Sequence, residues 1–195
     1  MLKVFGTHTQ RQPMKKPNNF KLLVLFICLL VSGCFLWVLH LKTSTTESKV
    51  LYQMGGNSES PYCLQLYHLI EKYSEEYNVP KHIAYNVAYK ETRYMGPFHW
   101  KYNPKQTSHA GAIGAMQIMP RTANWVEKRK IPTKELMNNL ELNVKISMKL
   151  LSDLHKKYKD WGITCGYYNT GYPIVNDYAS FCVSKKNYRS NWISL

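Results

Sequence analysis

The stretch AYKETRYMGP, from Ala88 to Pro97, contains a single carboxyl group, Glu91, between two cationic residues. No other Asp or Glu occurs between Tyr77 and Val126. A solvated helix face usually mixes both signs of charge, so an isolated acid needs a specific explanation. One explanation is catalysis, because a carboxyl that stays protonated near neutral pH can act as a general acid.

The helix predicted around Glu91 favours that protonated form. The segment PKHIAYNVAYKE begins with Pro80, a residue suited to a first helical turn, and Glu91 shares a face with its apolar residues. Those residues are Ile83, Ala84, Val87 and Ala88. Burial and the partial negative charge of a helix C-terminus both raise the pKa of a carboxyl. The alternative is a structural carboxylate paired with Lys90, Arg93 or backbone donors.

Apolar residues at spacings of three and four predict several more helices. These helices cover residues 63–77, begin near Pro120, span 140–158 and end at Gly171. No alternating segment of strand length occurs after residue 60. The sequence therefore predicts an all-α domain, with a small irregular hairpin-like excursion between Tyr94 and Ala110, where Gly, Pro, Asn and Ser cluster.

The N-terminal part contains an uncharged apolar run from Leu22 to Leu41, long enough to cross a bilayer as a helix. Only basic charges precede this run, which places the N-terminus in the cytoplasm. We expect a basic tail at 1–21, a transmembrane anchor at 22–41, a flexible linker at 42–61 and the folded domain at 62–195. The domain would then lie in the periplasm, behind a single pass through the inner membrane.

A lipoprotein signal is the alternative for this segment, because VSGC at residues 31–34 resembles a lipoprotein cleavage box and would make Cys34 the lipidated residue. Against this alternative, the apolar run continues for several residues past Cys34, and the hydrophobic part of a signal peptide is usually shorter.

The charge of the chain points to an anionic partner. The chain has 26 Lys and Arg against 12 Asp and Glu, for a net charge of +14. An extracytoplasmic domain without a nucleic-acid motif is not expected to bind DNA or RNA. Anionic cell-wall polymer or lipid headgroups are the remaining candidates.

Three of the five cysteines, Cys63, Cys165 and Cys182, fall in the predicted domain. In an oxidising compartment one pair could form a disulfide, and Cys165 with Cys182 is the favoured pair because both lie in the C-terminal part. Neither a CxxC nor an HExxH spacing occurs, so we predict no metal site and no cofactor.

Three motifs resemble those of the soluble lytic transglycosylases, which have the goose-type lysozyme fold. ETRY at Glu91–Tyr94 resembles the family's catalytic Glu-Ser pair followed by an aromatic residue. GAIGAMQIMPRTA at Gly111–Ala123 resembles its Gly-Leu-Met-Gln motif, and YYNTG at Tyr167–Gly171 resembles its Ala-Tyr-Asn-Ala-Gly motif. The resemblance covers roughly Tyr73 to Val183 and implies cleavage of peptidoglycan between N-acetylmuramic acid and N-acetylglucosamine.

The resemblance also implies roles for individual residues. Glu91 would be the catalytic acid and base. The implied substrate-binding residues are Thr92, Gly114, Met116, Gln117, Tyr168 and Asn169, with Met116 lining the floor and Tyr168 fixing the Glu91 carboxyl. The chain departs from the family pattern at Thr92, where Ser is usual, at Ala115 and at Tyr167, and in a longer loop from Met95 to Ala110.

One carboxyl is enough for a lytic transglycosylase, because the sugar's own C6 hydroxyl attacks C1 and no water has to be activated. Two other functions remain open: a goose-type lysozyme hydrolase, which would need a further carboxylate among Asp153, Asp160 and Asp177, and a catalytically silent peptidoglycan-binding module. By analogy with the family, the chain would open the wall locally for a secretion, conjugation or phage-entry complex.

Overall fold

The computed structural model describes residues 60–187, and the fold of this part is helical. The α-helices are α1 (Tyr62–Glu76), α2 (Lys81–Thr92), α3 (Pro120–Glu127), α4 (Thr133–Asn138), α5 (Leu140–Tyr158), α6 (Trp161–Thr170) and α7 (Asp177–Val183), followed by a 3₁₀ turn, Lys185–Asn187. No β-strand forms between residues 60 and 187, so the all-α prediction for the domain is confirmed.

The long helix α5 is the centre of the fold. It packs against α1, α3, α4 and α6. The stripe of residues at spacings of three and four is its buried face, because Val144, Ser147 and Leu151 are fully inaccessible to solvent. Burial of such a stripe on several neighbours stabilises the helix more than its intrinsic propensity does.

Helices α1 and α2 form the second half of the core. Leu66 and Ile70 of α1 are fully buried, as are Ile83, Val87 and Ala88 of α2. α2 packs on α1 and on α7. The C-terminal end of α2, which carries Glu91, is therefore held between an N-terminal and a C-terminal helix.

Two short helices, α4 and α7, were not predicted from the sequence. They have six and seven residues, too few to show a clear apolar period. A local signal for α7 does exist, because the side chain of Asn176 caps it by accepting a hydrogen bond from the Ala179 amide at 2.9 Å. α6 ends at Gly171, which has a left-handed backbone, as predicted.

The hairpin-like element lies further along the chain than predicted. Isolated antiparallel bridges pair Thr107 with Ile113 and Ile113 with Ile118, whereas the sequence placed the excursion between residues 94 and 110. The difference arises because Gly114 and Gln117, both with positive φ, make the tight turn between Ile113 and Ile118.

The predicted basic tail and anchor, and all of the predicted linker except Ser60 and Pro61, lie outside the described residues. Among the helices between residues 60 and 187, none is long and apolar enough to cross a membrane.

Gly166 allows α6 to approach the following segment closely. A Cβ atom at this position would lie 1.6 Å from the carbonyl oxygen of Ile174, which is a backbone atom and cannot rotate away. We therefore expect Gly166→Ala to lower the free energy of unfolding by about 2 kcal/mol or more. Urea denaturation followed by circular dichroism measures this change.

Gly162→Ala is the matched control, because it lies in the same helix and its Cβ would meet only side-chain atoms, the nearest at 3.1 Å. Alanine also favours a helix over glycine. Equal urea midpoints for the two variants would contradict the close approach at Gly166.

Candidate active site

Glu91 lies one residue before the end of α2, and its partner comes from α7. The hydroxyl of Tyr178 donates a hydrogen bond to Glu91 Oε1 at 2.5 Å. Tyr178 is buried, whereas Glu91 keeps partial contact with solvent. The hydrogen bond from Tyr178 thus fixes the Glu91 carboxyl, while part of the residue stays accessible to solvent.

Burial raises the pKa of Glu91 from its ordinary value to about 7. The hydrogen bond from Tyr178 and the charge of Lys90 oppose this shift, because both favour the carboxylate, but they are weaker than the desolvation. A carboxyl with a pKa near 7 is protonated in a large fraction of molecules at neutral pH. It can therefore donate a proton and later accept one.

The predicted structural alternative for Glu91, an ion pair with Lys90 or Arg93, does not form. The ammonium of Lys90 lies over the rings of Tyr178 and Phe181, and the guanidinium of Arg93 lies over Tyr89 at 5.4 Å. Among the described residues the hydrogen-bond partner of Glu91 is Tyr178. Because no ion pair within residues 60–187 stabilises the carboxylate, desolvation outweighs the hydrogen bond from Tyr178 and the pKa of Glu91 stays raised.

The downstream acids named as candidates for a second carboxylate are engaged elsewhere or exposed. Asp160 caps α6 by accepting from the Ile163 amide at 2.8 Å, and Asp153 pairs with Lys156. Asp177 is exposed in the first turn of α7. Within the described range no other carboxylate contributes to the pKa shift of Glu91, so the geometry offers one titrating carboxyl rather than a pair.

Tyr168 of α6 was expected to fix the Glu91 carboxyl, but its hydrogen bond goes to another group. Its hydroxyl donates to the carbonyl of Met116 at 2.7 Å, so the residue that fixes Glu91 directly is Tyr178. Tyr168 is nevertheless near Glu91. Burial, and next the Glu91 carboxylate, hold the pKa of Tyr168 well above its usual range. Tyr168 therefore remains a neutral donor that ties α6 to the loop beneath the site.

That loop, residues 113–118, is braced by Asn143 of α5. The Asn143 side chain accepts from the Met116 amide and donates to the Ile113 carbonyl, both at 2.9 Å. A Cβ on Gly114 would lie 2.3 Å from Asn143 Nδ2, so only glycine allows the amide to sit there. Asn143 is 1% exposed, and its hydrogen bonds replace those that water would make.

Thr92 fastens the end of α2 to the same loop. Its hydroxyl donates to the Ala115 carbonyl at 2.8 Å and lies 2.8 Å from the Tyr102 hydroxyl. Thr92 is 5% exposed and Met116 is fully buried. Core packing covers both side chains in this structure, and their expected contacts with substrate stay a prediction.

The remaining predicted substrate-binding residues retain access to solvent, except Gly114, which is buried. Gln117 is partly exposed and its Nε2 donates to the Gly114 carbonyl at 2.8 Å. Asn169 is exposed and its Oδ1 accepts from Asn176 at 3.1 Å. Polar side chains that are open to solvent can exchange these contacts for a ligand.

The three cysteines of the domain are buried free thiols in this structure, so the expected disulfide is not present. The favoured pair is nonetheless close together, since the Cys165 thiol of α6 interacts with the Cys182 thiol of α7. That contact and burial raise the pKa of Cys182 above its usual range. The Cys182 thiol is therefore protonated at neutral pH.

Sequence reasoning missed two residues on which the site depends, Tyr178 and Asn143. Tyr178 follows an Asx cap in a helix too short to be predicted, and Asn143 is a polar residue in a long apolar stripe. The sequence does give an indication for Asn143, because a buried amide in a helix interior usually has a structural partner.

The fold and the site together define a class of protein: a helical domain with one carboxyl of raised pKa near the end of a helix, partly open to solvent. The sequence profile described as the transglycosylase SLT domain matches residues 68–189. The chain belongs to this family, which confirms the resemblance to soluble lytic transglycosylases drawn from the three motifs.

Solved structures of lytic transglycosylases are also similar to part of the chain. The 70 kDa soluble lytic transglycosylase of Escherichia coli is 28% identical, with a TM-score of 0.45, over 53% of this chain and 16% of that one. The complex of the 70-kDa soluble lytic transglycosylase with bulgecin A is 26% identical, with a TM-score of 0.46, over 58% and 18%.

An inactive mutant of lytic transglycosylase Slt from Pseudomonas aeruginosa is 21% identical, with a TM-score of 0.43, over 52% of this chain and 16% of that chain. The match therefore spans less than a fifth of each of these proteins. A search of curated proteins gave no significant match.

Replacing Tyr178 should change the titration of Glu91. The hydroxyl stabilises the carboxylate, so its loss in Tyr178→Phe favours the neutral acid and raises the Glu91 pKa above about 7. The side-chain carboxyl resonance of Glu91, assigned by comparison with Glu91→Gln, can be followed by NMR as a function of pH.

Tyr172→Phe is the control for this titration, because Tyr172 is 69% exposed and is not among the groups that shift the Glu91 pKa. The control should leave the midpoint unchanged. A midpoint in Tyr178→Phe equal to or below that of the unmodified chain would disprove the assigned hydrogen bond.

Proposed function

We propose that the chain is a peptidoglycan lytic transglycosylase, which cleaves the β-1,4 bond between N-acetylmuramic acid and N-acetylglucosamine without water. Membership of the SLT family supports this proposal. The observation that carries it is a single carboxyl, Glu91, with a pKa of about 7 and no carboxylate partner among the described residues.

In the proposed reaction, protonated Glu91 donates its proton to the glycosidic oxygen as the bond from that oxygen to C1 breaks. The C6 hydroxyl of the muramic acid then attacks C1, and the Glu91 carboxylate takes the hydroxyl proton. The product is a 1,6-anhydro ring, and Glu91 returns to its starting state. Tyr178 lowers the energy of the transient carboxylate through the hydrogen bond that it already makes.

The substrate would be held at the surface of the cleft by Gln117 and Asn169, whose amides can bind acetamido and hydroxyl groups of the sugars. Thr92, Gly114 and Met116 would act indirectly, since they set the shape of the loop at residues 113–118. This division follows burial: exposed amides bind ligand, whereas buried groups hold the frame.

A goose-type hydrolase is the nearest competing function, and it differs in needing a group that activates water. The described part of the chain supplies no second carboxylate beside Glu91. A silent binding module is the other competitor. It would not need a carboxyl whose pKa is raised at the cost of folding stability.

Mass spectrometry of the products separates these functions. The full chain, purified in mild detergent, should release from peptidoglycan muropeptides that are one water lighter than reducing muropeptides. Glu91→Gln should reduce this release by at least about a hundredfold, because the amide cannot donate the proton.

The control for Glu91→Gln is Glu75→Gln, an exposed acid on α1, which should release products at the unmodified rate. Reducing products would show a hydrolase. No release from the unmodified chain, together with retained binding to peptidoglycan, would show a binding module.

We also propose that residues 22–41 anchor the chain in the inner membrane, with the domain in the periplasm. The uncharged apolar run and the basic residues before it support this localisation. The chain should stay in the membrane fraction after an alkaline wash. Cys34→Ala tests the lipoprotein alternative, because loss of membrane attachment in that variant would favour a lipid anchor.

Local opening of the wall for a secretion, conjugation or phage-entry complex is proposed by analogy with the family. A transglycosylase domain behind a membrane anchor suits such a role. Affinity capture of the anchored chain after cross-linking should recover an envelope-spanning component, and recovery of none would count against this partner.

A further inference from the structure

The loop at residues 95–105 presents large apolar side chains to solvent. Phe98 and Trp100 are 42% and 60% exposed, and their ring centroids lie 6.1 Å apart. Met95, at the start of the loop, is 50% exposed. A single exposed aromatic residue is ordinary on a protein surface, but three large apolar residues exposed on one short loop point to a partner that covers them.

The loop that carries these side chains is fastened to the core. Tyr102 is buried, and its amide donates a hydrogen bond to the His99 carbonyl at 2.8 Å. The Tyr102 hydroxyl lies 2.8 Å from that of Thr92 at the end of α2. Pro97 and Pro104 are buried as well. The exposed rings are therefore held in place by a packed loop.

The charge that accompanies this apolar surface is positive. Lys101 and Lys105 are exposed, and neither forms an ion pair within residues 60–187. Glu91 is the only acid between Tyr77 and Val126. Aromatic rings beside unpaired lysines are typical of surfaces that bind a bilayer with anionic headgroups, because the rings enter the interface while the lysines meet the headgroups.

The loop lies where the chain enters the folded domain. At one side, the Tyr94 hydroxyl donates to the Cys63 carbonyl at 2.7 Å. At the other, the ammonium of Lys105 lies over the Tyr62 ring, 5.6 Å from its centroid. Both contacts are with the first two residues of α1. The loop is therefore next to the end of the domain that follows the predicted linker.

The length of the chain before α1 favours a lipid surface as the partner. Residues 42–59 separate the apolar run at 22–41 from Ser60. A segment of that length reaches about 60 Å when fully extended. A domain behind an anchor at 22–41 stays within that distance of the bilayer, and the face beside its attachment point reaches the lipid with the least extension of the chain. Because tethering raises the local concentration, weak individual contacts are enough for docking.

We infer that the loop at residues 95–105 docks on the anionic lipid surface of the inner membrane, with Phe98 and Trp100 in the headgroup region and Lys101 and Lys105 on the headgroups. This inference rests on the proposed anchor and on no step of the proposed reaction. It gives the domain a second attachment to the bilayer besides the anchor.

Docking is measured with the full chain in bilayer nanodiscs, made of phosphatidylcholine alone or of phosphatidylcholine and phosphatidylglycerol in equal parts. A water-soluble reagent acetylates accessible lysines, and peptide mass spectrometry gives the rate at each of them. Lys101 and Lys105 report on the loop. Lys130 and Lys134 are the control lysines, because both are exposed and lie outside the loop. Circular dichroism checks that every variant is folded.

Acetylation of Lys101 and Lys105 should be about fivefold slower in the anionic discs than in the neutral discs, as expected for lysines that pair with anionic headgroups. The rates at Lys130 and Lys134 should differ less than about twofold, because these lysines stay in solvent. A high salt concentration should remove the difference at the loop, since it screens the attraction to the headgroups.

The double variant Phe98→Ser, Trp100→Ser should lose the protection, so that Lys101 and Lys105 react within about twofold of their rates in neutral discs. Trp125→Ser is the matched control. Trp125 is 65% exposed, close to the value for Trp100, but belongs to α3. This control should keep the full protection of the loop lysines.

Equal rates at Lys101 and Lys105 in neutral and anionic discs at low salt would overturn the inference. So would a loss of protection in Trp125→Ser as large as in the double variant. Protection that appears in detergent with added peptidoglycan, and not in anionic discs, would assign the loop to the glycan instead. Protection in detergent that grows with protein concentration would assign it to a second copy of the chain.

Failures of the other proposals can be told apart from these results. A chain that does not copurify with neutral discs contradicts the anchor. The free chain is then mixed with vesicles of the anionic composition, on which unprotected loop lysines would overturn docking as well. Anhydro products from a chain with an unprotected loop contradict this inference alone, and a protected loop without anhydro products contradicts the proposed reaction alone.

Discussion

The site depends on the desolvation of one carboxyl at the end of α2. Glu91 is surrounded by enough protein to raise its pKa to about 7, and the Tyr178 hydroxyl and the charge of Lys90 offset part of that shift. A formal ion pair in place of the hydroxyl would stabilise the carboxylate and remove the proton that the proposed reaction needs. The rest of the structure serves to keep Glu91 bound to a neutral partner and partly open to solvent.

The frame that holds this arrangement is built around α5. Its buried Asn143 fixes the loop at residues 113–118, and that loop in turn receives hydrogen bonds from Thr92 at the end of α2 and from Tyr168 of α6. The loop contributes a backbone carbonyl or amide to each of these hydrogen bonds. Backbone partners have little conformational freedom, so a small set of polar side chains can fix the relative positions of α2, α5 and α6.

The family motifs in this chain contain both buried residues and residues that are open to solvent. Thr92, Gly114 and Met116 belong to the motifs but are covered by the protein, whereas Gln117 and Asn169 are open to solvent. A cavity lined by Tyr168 and Asn169 extends the open surface to Arg121 and Trp125 of α3. Arg121 follows directly after the Met-Pro step of the second motif. The same helix α3 thus continues from the loop that frames Glu91 to one wall of this cavity.

The sequence by itself determined the helical class, the apolar faces of α1, α2 and α5, the end of α6 at Gly171 and the isolation of Glu91. These features are local or periodic, so neighbouring residues are enough to specify them. Only the tertiary structure decided that Tyr178, 87 residues after Glu91, is its partner, that Asn143 braces the loop and that Thr92 and Met116 are buried. Such contacts join elements distant in the chain, and no spacing or composition encodes which polar group will meet which.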